Sequence, residues 1–156
     1  MKTVLIALDY DPSAQKVAEA GFSMAKAMDA EVILLHIISD PEYYSSTKHV
    51  TIIGFAGSEE TVPMKLDSVD KLKKVAHKFL EKSKDVLGDK TIKILLKEGE
   101  SAESILKAAK DLHADLIVMG SHSRKVSSRI IMGSVTKRVL QHSSIPLLII
   151  PTKLKK

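Results

Sequence analysis

Residues 115–150 read DLIVMGSHSRKVSSRIIMGSVTKRVLQHSSIPLLII. An apolar run stops at Gly120, and a small polar and basic loop follows. Gly133-Ser134 then precedes a helical pattern carrying Val135, Val139 and Leu140, and a second apolar run, PLLII, ends the stretch. Strand, loop, helix and strand in this order form the repeating unit of a parallel sheet, because parallel neighbours need a crossover between them.

The same rhythm extends outward. TVLIALD (3–9), EVILLHII (31–38) and TIKILLK (91–97) are further apolar runs of strand length. Most are continuous rather than alternating, as strands covered on both faces must be. TIKILLK alternates in part and is expected nearer an edge. Between the runs lie helical stripes. Ala14, Val17, Ala18, Gly21, Ala25 and Met28 follow Asp11-Pro12, a cap and first-turn proline. A second stripe is Val69, Leu72, Ala76, Phe79, Leu80, Ser83 and Leu87; a third opens at Ser101 with Ile105, Ala108, Ala109 and Leu112. The prediction is one doubly wound α/β domain over residues 1–156, a parallel sheet with helices on both faces. Residues 39–68, with Gly54, Gly57 and Pro63 and no sustained period, are expected to form an irregular flap.

Composition narrows the function classes. The chain has 156 residues, a size suited to one domain. It has no cysteine, which removes disulfides, thiolate metal sites and thiol nucleophiles and fits a reducing compartment. The opening MKTVLIALDYD reads as a strand and not a signal peptide, and no run reaches the length of a membrane span. A cytoplasmic protein without membrane partners is expected. The net charge of +5 is no sign of nucleic acid: in KLDSVDKLKKVAHKFLEKSKDVLGDK (65–90) the lysines alternate with acids on a solvated face, and aromatic residues are few.

Several catalytic templates are absent. There is no P-loop, no G-x-G-x-x-G and no G-x-S-x-G elbow. The six histidines show no ligand spacing, so no metal site is expected. His36, inside an apolar run, reads as a satisfied core histidine. No catalytic residue is nominated.

A binding site is more legible. In open α/β sheets ligands sit beyond the carboxyl ends of the strands, where the winding reverses. If the first and fourth strands are neighbours, Asp9 and the 120–135 loop share that crevice. A helix starting at Gly133-Ser134 points the N–H groups of Ser134, Val135 and Thr136 outward, and with its dipole this favours an anion. The hydroxyls of Ser134 and Thr136 are further candidates for phosphate oxygens, and Ser123 and Arg124 approach from the other side. Asp9 is an acceptor suited to a ribose hydroxyl, or to a metal ion through water. His122 reads equally as a ribose or phosphate contact and as a plain loop residue. Turn chemistry alone also explains a glycine at a strand end and Gly-Ser at a helix start, so both readings stand at this level.

Together these residues resemble the universal stress proteins, over nearly the whole chain and least between 39 and 68. The specific element is that family's ATP-binding pattern, G-x-x-G, nine residues, then G-[ST]. Gly120 matches its first glycine, 124–132 the spacer and Gly133-Ser134 its end; Ser123 stands where the second glycine belongs. The resemblance implies a five-stranded parallel sheet in the order 3-2-1-4-5 and a homodimer through the 146–150 strand. It implies ATP as ligand, with or without Mg2+, in a nucleotide-responsive stress or signalling protein. Ala7, Leu8 and Asp9 would border the adenosine, with Ile37 meeting adenine through its backbone. Met119, Gly120, His122, Ser123, Gly133, Ser134, Val135 and Thr136 would surround ribose and phosphates. Ser123 keeps an alternative open, a nucleotide-free dimeric interaction module of the same family.

Overall fold

A strand whose side chains alternate between two hydrophobic interiors organises the molecule. The computed structural model describes residues 2–9, 13–38, 49–53, 59–63, 69–121 and 132–152. In chain order the elements are β1 (Lys2–Ala7), α1 (Ala14–Ala27), β2 (Ala30–Ile38), β3 (His49–Ile53), β4 (Glu59–Pro63), α2 (Val69–Leu87), β5 (Lys93–Glu98), α3 (Ser101–Asp111), β6 (Leu116–Gly120), α4 (Ser134–His142) and β7 (Leu147–Ile150). From β1, Val4 and Ile6 pack with Val17, Ala18 and Ala25 of α1 and with Phe79 and Leu80 of α2. Leu5, pointing the other way, packs with Ile105, Ala108 and Ala109 of α3 and with Val139 of α4. Helices therefore cover both faces, which is why the strand sequences run apolar without interruption.

The main sheet has five parallel strands in the order β5-β2-β1-β6-β7. Numbered among themselves these are 3-2-1-4-5, the order the resemblance implied. The winding reverses between β1 and β6. β5 is an edge strand, as its partial alternation foretold, and its residues are exposed or half-buried. Ion pairs Lys93–Glu31 at 2.7 Å and Lys73–Glu98 at 3.3 Å flank that edge.

Two expectations need correction. Residues 39–68 were expected to be irregular, but β3 and β4 form an antiparallel hairpin, His49 opposite Pro63 and Ile53 opposite Glu59, as a separate two-stranded sheet. Five-residue strands that join no larger sheet carry no long apolar run to betray them. The remainder of 39–68 lies outside the described residues. Helix α1 starts at Ala14 with Ser13 in the capping position, later than Asp11-Pro12 suggested; those two residues are also outside the described set.

Gly21, in mid-helix, marks where α1 lies closest to the sheet. A Cβ there would stand 2.8 Å from Ile6 Cδ1 and 3.1 Å from Val118 Cγ1, and both neighbours are fully buried. Overpacking of this kind costs about 1–3 kcal/mol. Gly21→Leu is accordingly expected to lower the denaturant midpoint of unfolding despite its better helix propensity; an unchanged midpoint would mean that α1 can move outward without loss.

Candidate functional site

The strands end in a common hollow at the reversal of the sheet. β1 runs out through Ala7, Leu8 and Asp9, β6 through Met119 and Gly120, and β2 through Leu35, His36 and Ile37. The starts of three helices close it: Ser13 and Ala14 before and in α1, Ser101 of α3, and Val135 and Thr136 of α4. The hollow spans about 630 Å³, open solvent included. Leu8 N–H donates to Leu35 O at 2.8 Å, extending the ladder past β1 and holding Asp9 at the mouth.

The two helices on this face begin differently. At α3 the Glu100 carboxylate accepts from Ala102 N–H at 3.2 Å and Glu103 N–H at 2.8 Å. Those bonds, the one from Glu103 first, hold its pKa below the ordinary carboxylate value, and Arg138 adds a contact at 2.9 Å. At α4 the capping residue is Gly133, with φ −68° and ψ 159° and no side chain to offer. Gly133 N–H donates to Ser121 O at 2.6 Å, and Lys137 N–H is the first to reach back, to Gly133 O at 3.0 Å. The N–H groups of Ser134, Val135 and Thr136 have no partner among the described residues. One helix start is satisfied by its own side chain, and the other, among the described residues, leaves three donors and the positive end of its dipole without a partner.

Other expected contributions change on inspection. The Thr136 hydroxyl donates to Gly120 O at 2.8 Å, and the side chain is buried. Its proton is committed to fastening α4 to the exit of β6, so the donor it has for a ligand is its backbone N–H. Gly120 is glycine for a reason internal to the chain: a Cβ would meet Thr152 Cγ2 at 3.0 Å and Val17 Cγ2 at 3.1 Å. Beside it, Ser121 Oγ accepts from Thr152 N–H at 2.9 Å, tying the residues after β7 to the start of the loop. Gly133 and exposed Ser134 stand outside the wall of the hollow, at the head of α4. His122, Ser123 and Arg124 lie outside the described residues.

The sequence reading missed much of the wall. Ser13, Ala14 and Val17 of α1, Leu35 and His36 of β2, and Ser101 and Ile105 of α3 all line it. Topology held the signal, since every helix that follows a parallel strand starts at the same end of the sheet. His36 is both a core residue and part of the wall, 1% exposed, with Nδ1 2.8 Å from Leu8 O and its ring edge-on to Phe79. Burial, the largest influence, pushes its pKa below the ordinary 6.5; the Asp9 charge and the Leu8 carbonyl pull the other way. Among the described residues no group of three His, Asp or Glu side chains is placed to hold a metal, and no helix is long and apolar enough to cross a membrane.

The comparisons agree with the fold. The sequence profile of the universal stress protein family matches residues 1–151, and the chain belongs to that family. Universal stress protein MJ0577 of Methanocaldococcus jannaschii is 31% identical over 156 residues, covering 97% of this chain and 96% of the relative. A solved structure of MJ0577 superposes with a TM-score of 0.75 at 28% identity, over 99% and 98% of the two chains. Two more distant structures share the fold: a universal stress protein in complex with cAMP (TM-score 0.63, 18% identity, 97% and 98% covered) and one from Archaeoglobus fulgidus in complex with dAMP (0.60, 15%, 96% and 97%).

Proposed function

We propose that this universal stress protein binds ATP and acts as a dimeric, cytoplasmic stress or signalling protein whose bound nucleotide biases its choice of partner. The observation that carries the reading is the start of α4, whose first N–H groups have no partner among the described residues and whose Val135 and Thr136 line the same hollow as Asp9. Donors for phosphates at one side and an acceptor for a ribose hydroxyl at the other suit a nucleotide. Phosphates would rest on the N–H groups of Ser134, Val135 and Thr136, with His122, Ser123 and Arg124 contributed by the loop. Adenosine would lie along Ala7, Leu8 and Asp9 and against the Ile37 backbone. That cAMP and dAMP were found with other proteins of this fold supports an adenine nucleotide here.

The nucleotide is bound and not turned over on this reading. Among the described residues Asp9 is the only carboxylate on the wall, which is less than phosphoryl transfer needs by way of a base, a charge-stabilising arginine and magnesium ligands. Dimerisation through 146–150 is part of the proposal. β7 is the second edge of the sheet, and half-buried Leu147, Leu148 and Ile149 leave apolar edge surface that a partner strand would cover. The second reading, a nucleotide-free interaction module, draws on Gly120, whose lack of a side chain needs no ligand to explain it.

Isothermal titration of nucleotide-stripped protein with ATP, in Mg2+ and in EDTA, is the test. Saturable heat at one site per chain is expected, together with nucleotide released on denaturing freshly purified protein. No heat at micromolar protein and no released nucleotide would leave the interaction module standing instead.

A further inference from the structure

Asp9 lies just past the end of β1, where the sheet no longer fixes the chain on both sides. What holds this exit is a side chain of the neighbouring strand. His36 of β2 is 1% exposed, and its Nδ1 lies 2.8 Å from the Leu8 carbonyl oxygen. A carbonyl only accepts, so Nδ1 carries the proton and donates. With Leu8 N–H donating to Leu35 O at 2.8 Å, both backbone polar groups of Leu8 are held by β2. The peptide that joins Leu8 to Asp9 is thereby fixed in orientation, and with it the position of the Asp9 Cα from which the side chain leaves the backbone.

We propose that His36 is a positioning residue for nucleoside selection: by clamping the Leu8 carbonyl it aims Asp9 at the ribose hydroxyls, so that the site prefers ribose to a sugar lacking them. The inference rests on the nucleotide reading above and goes beyond it, since it assigns sugar selectivity to a residue that need not touch the ligand. It also separates two contributions to affinity. Phosphate binding belongs to the start of α4, and discrimination of the sugar belongs to the His36–Leu8–Asp9 connection.

The geometry of the amide side chains supplies a discriminating set of variants. Asparagine places its Nδ2 donor where Nδ1 of histidine stands and so keeps the bond to Leu8. Glutamine places its amide where Nε2 stands, fills more of the volume and loses that bond; leucine fills the space with no donor. The probes are ATP and 2′,3′-dideoxy-ATP, titrated into wild type, His36→Asn, His36→Gln, His36→Leu and Asp9→Ala. Wild type and His36→Asn are expected to prefer ATP by about tenfold, the worth of one hydrogen bond to a charged acceptor. His36→Gln, His36→Leu and Asp9→Ala are expected to bind the two probes alike, at the affinity wild type shows for the dideoxy analogue.

A role in filling space alone would reverse the ranking, with glutamine and leucine better than asparagine, and would overturn the proposal. So would a wild type that binds ATP without preferring it. Should wild type bind neither probe, the nucleotide reading fails, and the positioning claim is decided without ligand. The imidazole ring current is lost in all three variants, so they are compared with one another: the Leu8 and Asp9 amide resonances of His36→Gln and His36→Leu are then expected to shift away from those of His36→Asn. Resonances that coincide in His36→Asn and His36→Leu would overturn the clamp itself.

Discussion

Gly133→Asp is expected to lower affinity for ATP at least a hundredfold while leaving the fold as stable as before, or slightly more so. The two effects have one cause. Gly133 has φ −68° and ψ 159°, extended backbone open to any residue, and it occupies the capping position of α4. Aspartate is among the best residues there, because its carboxylate accepts from the N–H groups of the first turn. Compared with glycine it adds a few tenths of a kcal/mol as a cap, and its charge complements the helix dipole. The same carboxylate occupies the donors proposed for phosphate and opposes an incoming anion. Hydrogen bonds to charged groups contribute about 1.5–3 kcal/mol each, so losing two accounts for the hundredfold.

Ser134→Pro refines this test. The first position of a helix tolerates proline, and the extended Gly133 before it meets the restriction proline imposes on its predecessor. The N–H and the hydroxyl of residue 134 are removed together, so Ser134→Ala serves as the control for the hydroxyl, and relative to it affinity should fall about tenfold. Calorimetry and thermal unfolding on the same samples give the answer. Unchanged affinity in Gly133→Asp would show that phosphates, if bound, do not use this helix start.

A second large effect is loss of stability on mild acidification. Burial holds the His36 pKa below its ordinary 6.5. Above about pH 6.5 the imidazole is neutral in both folded and unfolded chains, and nothing depends on pH. As pH falls below that point the unfolded chain takes up a proton that the folded one refuses. Stability then decreases by up to about 1.4 kcal/mol per pH unit, levelling off once the folded-state pKa is passed. Glu100 and Asp89 also have lowered pKa values, through the Glu103 N–H and the Thr91 hydroxyl respectively, so their contributions are lost only nearer their ordinary values of 4.5 and 3.8. The windows separate. Denaturant unfolding between pH 7 and 5 should show a steep fall in the wild type and a flatter one in His36→Asn. Parallel curves would place the acid sensitivity elsewhere.

Much of the fold was legible because burial leaves an imprint on composition. Strands covered on two faces must be apolar throughout, and helices covered on one must be apolar every third or fourth residue. Val4 to Ile6, Val32 to Leu35 and the stripe from Ala14 to Ala25 carried that imprint plainly. The β3–β4 hairpin did not, since its short strands pair only with one another. Legibility of the site was uneven for a related reason. Asp9, Gly133 and the first turn of α4 stand where strand ends and helix starts meet, and such junctions can be read from alternation alone. Ser13 and Ser101 are helix starts that follow once the topology is drawn, whereas His36 reaches the hollow from within a buried strand, which no local pattern encodes. Gly120 was legible as a glycine but misleading as to cause, because the pressure on it comes from Val17 and Thr152.

The alternation of β1 between two interiors also limits how this gene can change. Deleting a single codon between Thr3 and Ala7 would hand Leu5 to the partners of Val4 and Ile6, and theirs to the partners of Leu5, so that both halves of the protein would be mispacked by one event. Length variation is therefore expected to be purged from this strand far more strictly than substitution of one aliphatic residue for another.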